Sequence, residues 1–102
     1  MLTLPIKRKW FDMILSGEKT DEYRENTAYW RRRLLYRAQP INGEGTAWLL
    51  ALRNGYRSDS PKAIVEISDI TVGTGNPEWG AEPGVEYLRL HIKRVVKYDG
   101  YR

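Results

Sequence analysis

The stretch IKRKWFDMILSGEKTDEYR, residues 6–24, decides the fold, because a helix signal, a helix stop and a strand signal follow one another within it. Ile6, Trp10 and Ile14 recur at a spacing of four residues, which is typical of one face of an α-helix. The spacing predicts a helix over about residues 7–16.

Gly17 follows this helix directly, at the position where a left-handed C-terminal cap belongs, because glycine adopts a positive φ without steric cost. Residues 19–24 contain Thr and Tyr among charged residues, which suits a strand. On a strand, Glu22 and Arg24 are two residues apart and therefore share a face. Lys19 is expected at the start of this strand, at the mouth of a cleft, with a flexible and partly solvated side chain. The pattern predicts that Lys19, Glu22 and Arg24 line one concave site.

The rest of the chain predicts one further helix and four further strands. The helix is expected over residues 28–36, and the strands over residues 1–4, 48–53, 62–72 and 86–97. The order is strand, helix, strand, helix and then three longer strands. It predicts an α+β domain, a small β-barrel of about five to six mostly antiparallel strands with two short helices.

Length and composition set limits on the class of protein. The chain has 102 residues, which suits one domain over residues 1–102, and 41% hydrophobic against 29% charged residues argues against disorder. The sequence contains no cysteine, which excludes a disulfide scaffold, a thiolate metal site and a cysteine nucleophile. A single histidine, His91, cannot build a multi-histidine site, so we expect neither a metal nor a cofactor. We expect His91, on a strand, to be exposed or simply hydrogen-bonded.

The charge balance favours an anionic partner. Lysine and arginine total 17 against 13 acidic residues, a net charge of +4. The basic residues of the N-terminal segment follow its apolar ones, the reverse of a signal peptide, and no apolar run approaches membrane-spanning length. We therefore expect a cytoplasmic protein that binds no membrane, and we also expect it to be a monomer.

The eight residues 17–24, GEKTDEYR, resemble the ASCH signature G-x-K-x-x-E-x-R, with Gly17, Lys19, Glu22 and Arg24 at its fixed positions. The similarity continues through residues 29–34, 55–56, 73–80 and 82–87. The chain is thus similar to small phage and bacterial members of the ASCH family, which belongs to the PUA-like superfamily. The resemblance implies a PUA-like β-barrel whose ligand is RNA or a nucleotide-like molecule.

The motif has a physical interpretation of its own. A carboxylate and a guanidinium on one strand face present an acceptor and a planar donor fork to a ligand, or they form a structural ion pair with each other. Trp79 lies in a loop between glycines, where it either covers a ligand or plugs one end of the barrel. The predicted ligand-binding residues are Lys19, Glu22, Arg24, Tyr56 and Trp79.

Basic residues interleaved with aromatic ones predict a nucleic-acid surface on the two helices. The predicted contacts are Arg8 and Lys9 on the first helix and Arg31, Arg32, Arg33 and Arg37 on the outward face of the second. The alternative is that both are solvated helix faces that bind nothing.

The second candidate function is hydrolysis. The chain would then be a small metal-independent hydrolase, of ribonuclease or amidohydrolase type, that acts on RNA or a modified nucleoside. The PUA-like resemblance includes acetylcytidine amidohydrolases, which use a Lys, a Thr and a Glu. In those enzymes the Thr lies three residues after the motif Lys, and here Glu22 holds that position. A hydrolase would use Lys19 as base or oxyanion stabiliser, with Glu22 or Glu78 moving protons. Of the three candidate functions, binding of RNA or a nucleotide-like ligand ranks first, hydrolysis second and a structural adaptor third.

Overall fold

The computed structural model describes residues 1–37 and 48–100, apart from the side chains of Tyr36 and Arg37. Within these residues the elements are β1 Thr3–Pro5, α1 Arg8–Ser16, β2 Asp21–Glu25, α2 Ala28–Arg37, β3 Leu49–Arg53, β4 Lys62–Thr74 and β5 Glu86–Asp99. A short 3-10 turn, Pro77–Trp79, lies in the β4–β5 connection. The predicted α+β class and the predicted order of elements are confirmed.

The five strands form one sheet in the order β1-β3-β4-β5-β2. Only the β1–β3 pair is parallel, so the sheet is mostly antiparallel, as predicted. The two edge strands, β1 and β2, are not paired with each other, and the sheet is open between them. Two features of β1 favour an open edge, since it has three residues and ends at Pro5, which has no N–H to donate.

Helix α1 covers the core face of the sheet. Phe11 and Ile14 are buried, as is Ile6 just before the helix, while Trp10 packs half-buried beside them. The predicted cap is confirmed, because Gly17 has φ 84° and its N–H donates to the Ile14 carbonyl at 3.1 Å. The core that α1 seals is completed by Leu4, Leu34, Leu50, Leu52, Val65, Leu88 and Leu90.

The long β4–β5 hairpin is irregular near its middle and holds a buried carboxylate there. Its register shifts around residues 64–69, which marks β-bulges and bends the sheet. Glu66 is 7% exposed; its Oε1 accepts from Arg94 Nε at 2.8 Å, and its Oε2 lies 3.6 Å from Lys93 Nζ. The hydrogen bond from Arg94 lowers the pKa of Glu66 below its ordinary 4.5.

Because its pKa is lowered in the folded state, the Glu66 carboxyl stabilises the fold at pH values above its ordinary pKa. This contribution is lost as the pH falls through the lowered pKa. We therefore expect the free energy of unfolding of the wild type to fall as the pH drops below the ordinary value of 4.5. Glu66→Gln should reduce that fall, measured by urea denaturation, whereas Glu25→Gln, at an exposed carboxylate on β2, should leave it unchanged. An identical pH dependence for wild type and Glu66→Gln would contradict the role given to this ion pair.

Across residues 1–37 and 48–100, none of the helices has both the length and the apolar character needed to span a membrane.

Candidate functional site

A cavity of about 310 Å³ lies in the gap between the two edge strands. Residues 5–7, at the end of β1, line one side, and residues 22–24 of β2 line the other. Trp10 of α1 and residues 79–80 of the β4–β5 loop supply further walls, together with Tyr87. The open edge of the sheet is therefore what creates this cavity.

Glu22 is the buried carboxylate of the site, and it is 5% exposed. Its Oε1 accepts from Lys19 Nζ at 3.0 Å and from the Tyr23 backbone N–H at 3.0 Å. Its Oε2 lies 3.2 Å from Arg24 Nη1. Glu22 thus bridges two cations, and Oε2 keeps one lone-pair direction for another donor.

Arg24 spans the gap between the edge strands. Its Nη2 donates to the Pro5 carbonyl of β1 at 2.7 Å, and its Nη1 donates to the Tyr23 carbonyl at 2.8 Å. The guanidinium carbon also lies 5.4 Å from the centroid of the Trp30 ring on α2, which is cation–π geometry. One side chain therefore ties β1, β2 and α2 together at the cavity.

Lys19 is buried, which corrects the expectation of a partly solvated lysine at the cleft mouth. Its side chain donates to Glu22 Oε1 and to the Asp21 carbonyl, and the residue is 1% exposed. The reason is local, because the Lys19 backbone N–H donates to the Met13 carbonyl at 3.0 Å and folds the chain back onto the end of α1. Burial lowers the pKa of Lys19 below its ordinary 10.5, and the neighbouring Glu22 opposes that shift.

The predicted site residues are therefore brought together in part. Glu22 and Arg24 line the cavity between the edge strands, whereas Lys19 lies behind Glu22 and is not among the lining residues. The cavity that Lys19 does line, of about 230 Å³, lies between the end of α1 and β5. Trp79 lines the first cavity, and Glu78 is exposed beside it.

The loop that carries Trp79 rests directly on Trp10. Gly80 has φ 96°, and a Cβ added to it would lie 2.9 Å from the Trp10 ring, so a larger residue at position 80 would be strained and would collide with the indole. Asn76 fixes the loop, since its N–H donates to the Tyr23 hydroxyl at 2.9 Å and its Oδ1 accepts from the Glu78 N–H at 2.9 Å. Trp79 therefore forms a half-buried, positioned wall of the cavity.

Tyr56 lies elsewhere. It lines a second cavity, of about 410 Å³, together with Asn54 and Gly55 of the β3–β4 turn. Residues 5–7 also line this second cavity, so the two cavities share that segment. Tyr56 and Trp79 were predicted for one cleft, and the structure places them in neighbouring cavities.

The predicted nucleic-acid contacts on α1 are exposed. Arg8 Nε lies 3.5 Å from Asp12 Oδ2, with both side chains more than half exposed. Lys9 Nζ lies 4.8 Å from the centroid of the Trp10 ring. Lys9 is therefore close to one of the cavity's aromatic walls.

On α2 the basic residues do not all face outward. Arg32 is exposed, and Arg31 is also exposed and donates to Asn26 Oδ1 at 2.9 Å. Arg33 is half-buried, with its guanidinium carbon 5.3 Å from the Tyr29 ring centroid, which corrects its predicted outward position. The Arg37 side chain lies outside the described residues.

A hydrogen-bonded chain on β2, β5 and β4 was missed by the sequence interpretation. His91 Nδ1 lies 2.7 Å from Asp21 Oδ1, and His91 Nε2 lies 2.7 Å from Thr71 Oγ1. Arg89 Nε donates to the same hydroxyl at 3.1 Å. Asp21 and Glu22 are consecutive strand residues and point to opposite faces of β2, so this chain is separate from the Glu22 cluster. Both nitrogens of His91 are engaged, in agreement with the expected hydrogen-bonded histidine.

In the described part of the chain, no three His, Asp or Glu side chains are grouped in a way that would hold a metal ion. Comparison of the chain with protein-family models, with curated proteins and with solved structures gave no match. The functional argument therefore rests on the geometry of the cavity.

Proposed function

We propose that this chain is a monomeric, cytoplasmic RNA- or nucleotide-binding domain of the ASCH type, with the PUA-like architecture, and that the cavity between β1 and β2 holds the ligand. One observation carries the proposal. Two indole side chains, a buried carboxylate and the partly buried guanidinium that pairs with it line the same cavity. Its volume of about 310 Å³ lies within the range of small-molecule sites.

The chemistry of the cavity suits a nucleobase. Trp10 and Trp79 offer aromatic surface on which a base stacks. Glu22 keeps an acceptor direction on Oε2, and Arg24 keeps its Nε–H and one Nη2–H beyond the contacts described above. The Glu22 oxygen accepts and the Arg24 N–H groups donate, which matches the acceptors and donors along the edge of a base. The indoles would then stack on the face of the base while Glu22 and Arg24 bind its edge.

Binding is favoured over hydrolysis by the positions of the groups that a hydrolase would need. Lys19, the candidate base, is held by Glu22 and is not among the residues that line this cavity. Glu78, the candidate proton carrier, is exposed beside Trp79 and is also not among them. Glu22 is engaged on both oxygens by neighbouring cations, which suits a fixed recognition group better than a proton carrier.

The test of this proposal is a fluorescence anisotropy titration of a labelled single-stranded RNA at several salt concentrations. We expect binding that weakens as salt rises, because each phosphate contact adds about 0.7 to the log–log slope for a single strand. Arg32→Ala should lower the slope by about 0.7 if this exposed arginine contacts a phosphate. Lys97→Ala, an exposed lysine on β5, is the matched control and should leave the slope unchanged.

Each outcome has a definite meaning. Absence of RNA binding by the wild type would overturn the proposed function. Binding with an unchanged slope in Arg32→Ala would remove α2 from the phosphate surface and leave the cavity as the site.

A further inference from the structure

The cavity between the edge strands and the cavity beside Tyr56 are neighbours across a wall of three residues. Residues 5–7 line both, and their volumes are about 310 Å³ and about 410 Å³. A three-residue segment is at most about 10 Å long. Two consecutive unstacked nucleotides are therefore well placed to lie on either side of it.

The shared wall carries a free cation. Lys7 is exposed and lines both cavities, and no ion pair links it to a carboxylate in the described part of the chain. The first turn of α1, which begins at the next residue, contains no acidic side chain. A phosphate that connects two nucleotides would therefore meet an uncompensated positive charge midway between the cavities.

The second cavity presents an aromatic ring from a well-fixed turn. Tyr56 is 84% exposed. The turn is held by hydrogen bonds from the Asn54 N–H to the Pro61 carbonyl at 2.9 Å and from the Arg57 N–H to Ser60 Oγ at 3.1 Å. Gly55 has φ 128° and packs against Ser60, so the turn accepts no larger residue there without strain. An exposed ring on a hydrogen-bonded turn presents its face for stacking with a base.

We propose, on the basis of the function proposed above, that the ligand is a single-stranded RNA segment that occupies both cavities. One base lies in the cavity between the edge strands, the linking phosphate lies at Lys7, and the adjacent base stacks on Tyr56. The smallest complete ligand is then a dinucleotide, and a free mononucleotide fills only half of the site.

The experiment compares the affinities of a mononucleotide and a dinucleotide of the same base by isothermal titration calorimetry. The probes are adenosine monophosphate with adenylyl-adenosine, and uridine monophosphate with uridylyl-uridine. We expect the wild type to bind each dinucleotide about tenfold more tightly than its mononucleotide, because stacking of the second base adds roughly 1–3 kcal/mol.

Substitutions at Tyr56 identify the second cavity. Tyr56→Ala should reduce the ratio of dinucleotide affinity to mononucleotide affinity to about one, while the mononucleotide affinity itself stays unchanged. Tyr56→Phe should retain the wild-type ratio, since phenylalanine also stacks. Tyr98→Ala, at a tyrosine on β5 that is 46% exposed and lines neither cavity, is the matched control and should behave as the wild type.

The outcomes separate the two proposals. Equal affinity for mononucleotide and dinucleotide in the wild type would overturn the two-cavity inference and leave the proposed function intact. A dinucleotide advantage that persists in Tyr56→Ala would overturn the placement of the second base. Absence of binding by every probe and by longer single-stranded RNA would overturn the proposed function and this inference with it.

Discussion

Glu22→Ala is expected to lower the free energy of unfolding by about 3–5 kcal/mol, because removing one partner of a buried ion pair leaves the other charge uncompensated. Here the stranded charge is the Lys19 ammonium, which is 1% exposed and retains only the Asp21 carbonyl of the two acceptors described above. Arg24 loses the same carboxylate at the cavity. Urea denaturation at neutral pH measures the effect.

Two further variants control this experiment. Glu25→Ala removes an exposed carboxylate three residues along the same strand and should change the free energy of unfolding by no more than about 0.5 kcal/mol. The double variant Lys19→Met with Glu22→Ala should recover part of the lost stability, because the buried Lys19 charge is removed together with its carboxylate partner. A loss below about 1 kcal/mol for Glu22→Ala alone would show that Lys19 does not depend on this carboxylate.

The titration of Lys19 gives an independent check on its burial. Its pKa is lowered in the folded state, so the unfolded chain binds more protons in the pH range just below the ordinary value of 10.5. The free energy of unfolding should therefore rise with pH in that range, as far as this group contributes. Lys19→Met should remove that rise, and an unchanged alkaline dependence would contradict the assignment.

Trp79→Ala is expected to weaken single-stranded RNA binding by about 2 kcal/mol, roughly thirtyfold, because the indole supplies one of the two stacking walls of the cavity. The loop should keep its conformation, since Asn76 holds it through hydrogen bonds that do not involve the indole. Anisotropy titration measures the affinity, and circular dichroism verifies the fold. Trp48→Phe, a conservative change at a tryptophan that packs against the core, should bind RNA as the wild type does. Wild-type affinity in Trp79→Ala would exclude this wall from the ligand site.

The features that depend on neighbouring residues were predictable from the sequence. Helix α1 and its left-handed cap at Gly17 follow from a four-residue apolar spacing and from the conformational freedom of glycine. The shared face of Glu22 and Arg24 follows from the two-residue period of a strand. These are local properties, and the structure agrees with them.

The features that depend on how the chain folds back at a turn and on which strands meet were not predictable. The burial of Lys19 requires the turn after Gly17 to fold back so that the Lys19 N–H reaches the Met13 carbonyl. The cavity exists because β1 and β2, which are consecutive strands in the chain, lie at opposite edges of the sheet and do not pair. Within the described residues, Arg24 reaches from β2 to the Pro5 carbonyl of β1. The chain through His91 depends on the register of three strands, which bulges alter.

The central claim is that the cavity between β1 and β2 holds a nucleotide, and the most direct measurement uses the four tryptophan indole N–H signals in a proton–nitrogen correlation spectrum. Titration with a short single-stranded RNA should shift the indole signals of Trp10 and Trp79, which line the cavity, more than those of Trp30 and Trp48, which do not. Single Trp→Phe substitutions assign the four signals. Saturating RNA that leaves the Trp10 and Trp79 signals in place, or that moves Trp30 or Trp48 most, would contradict the claim.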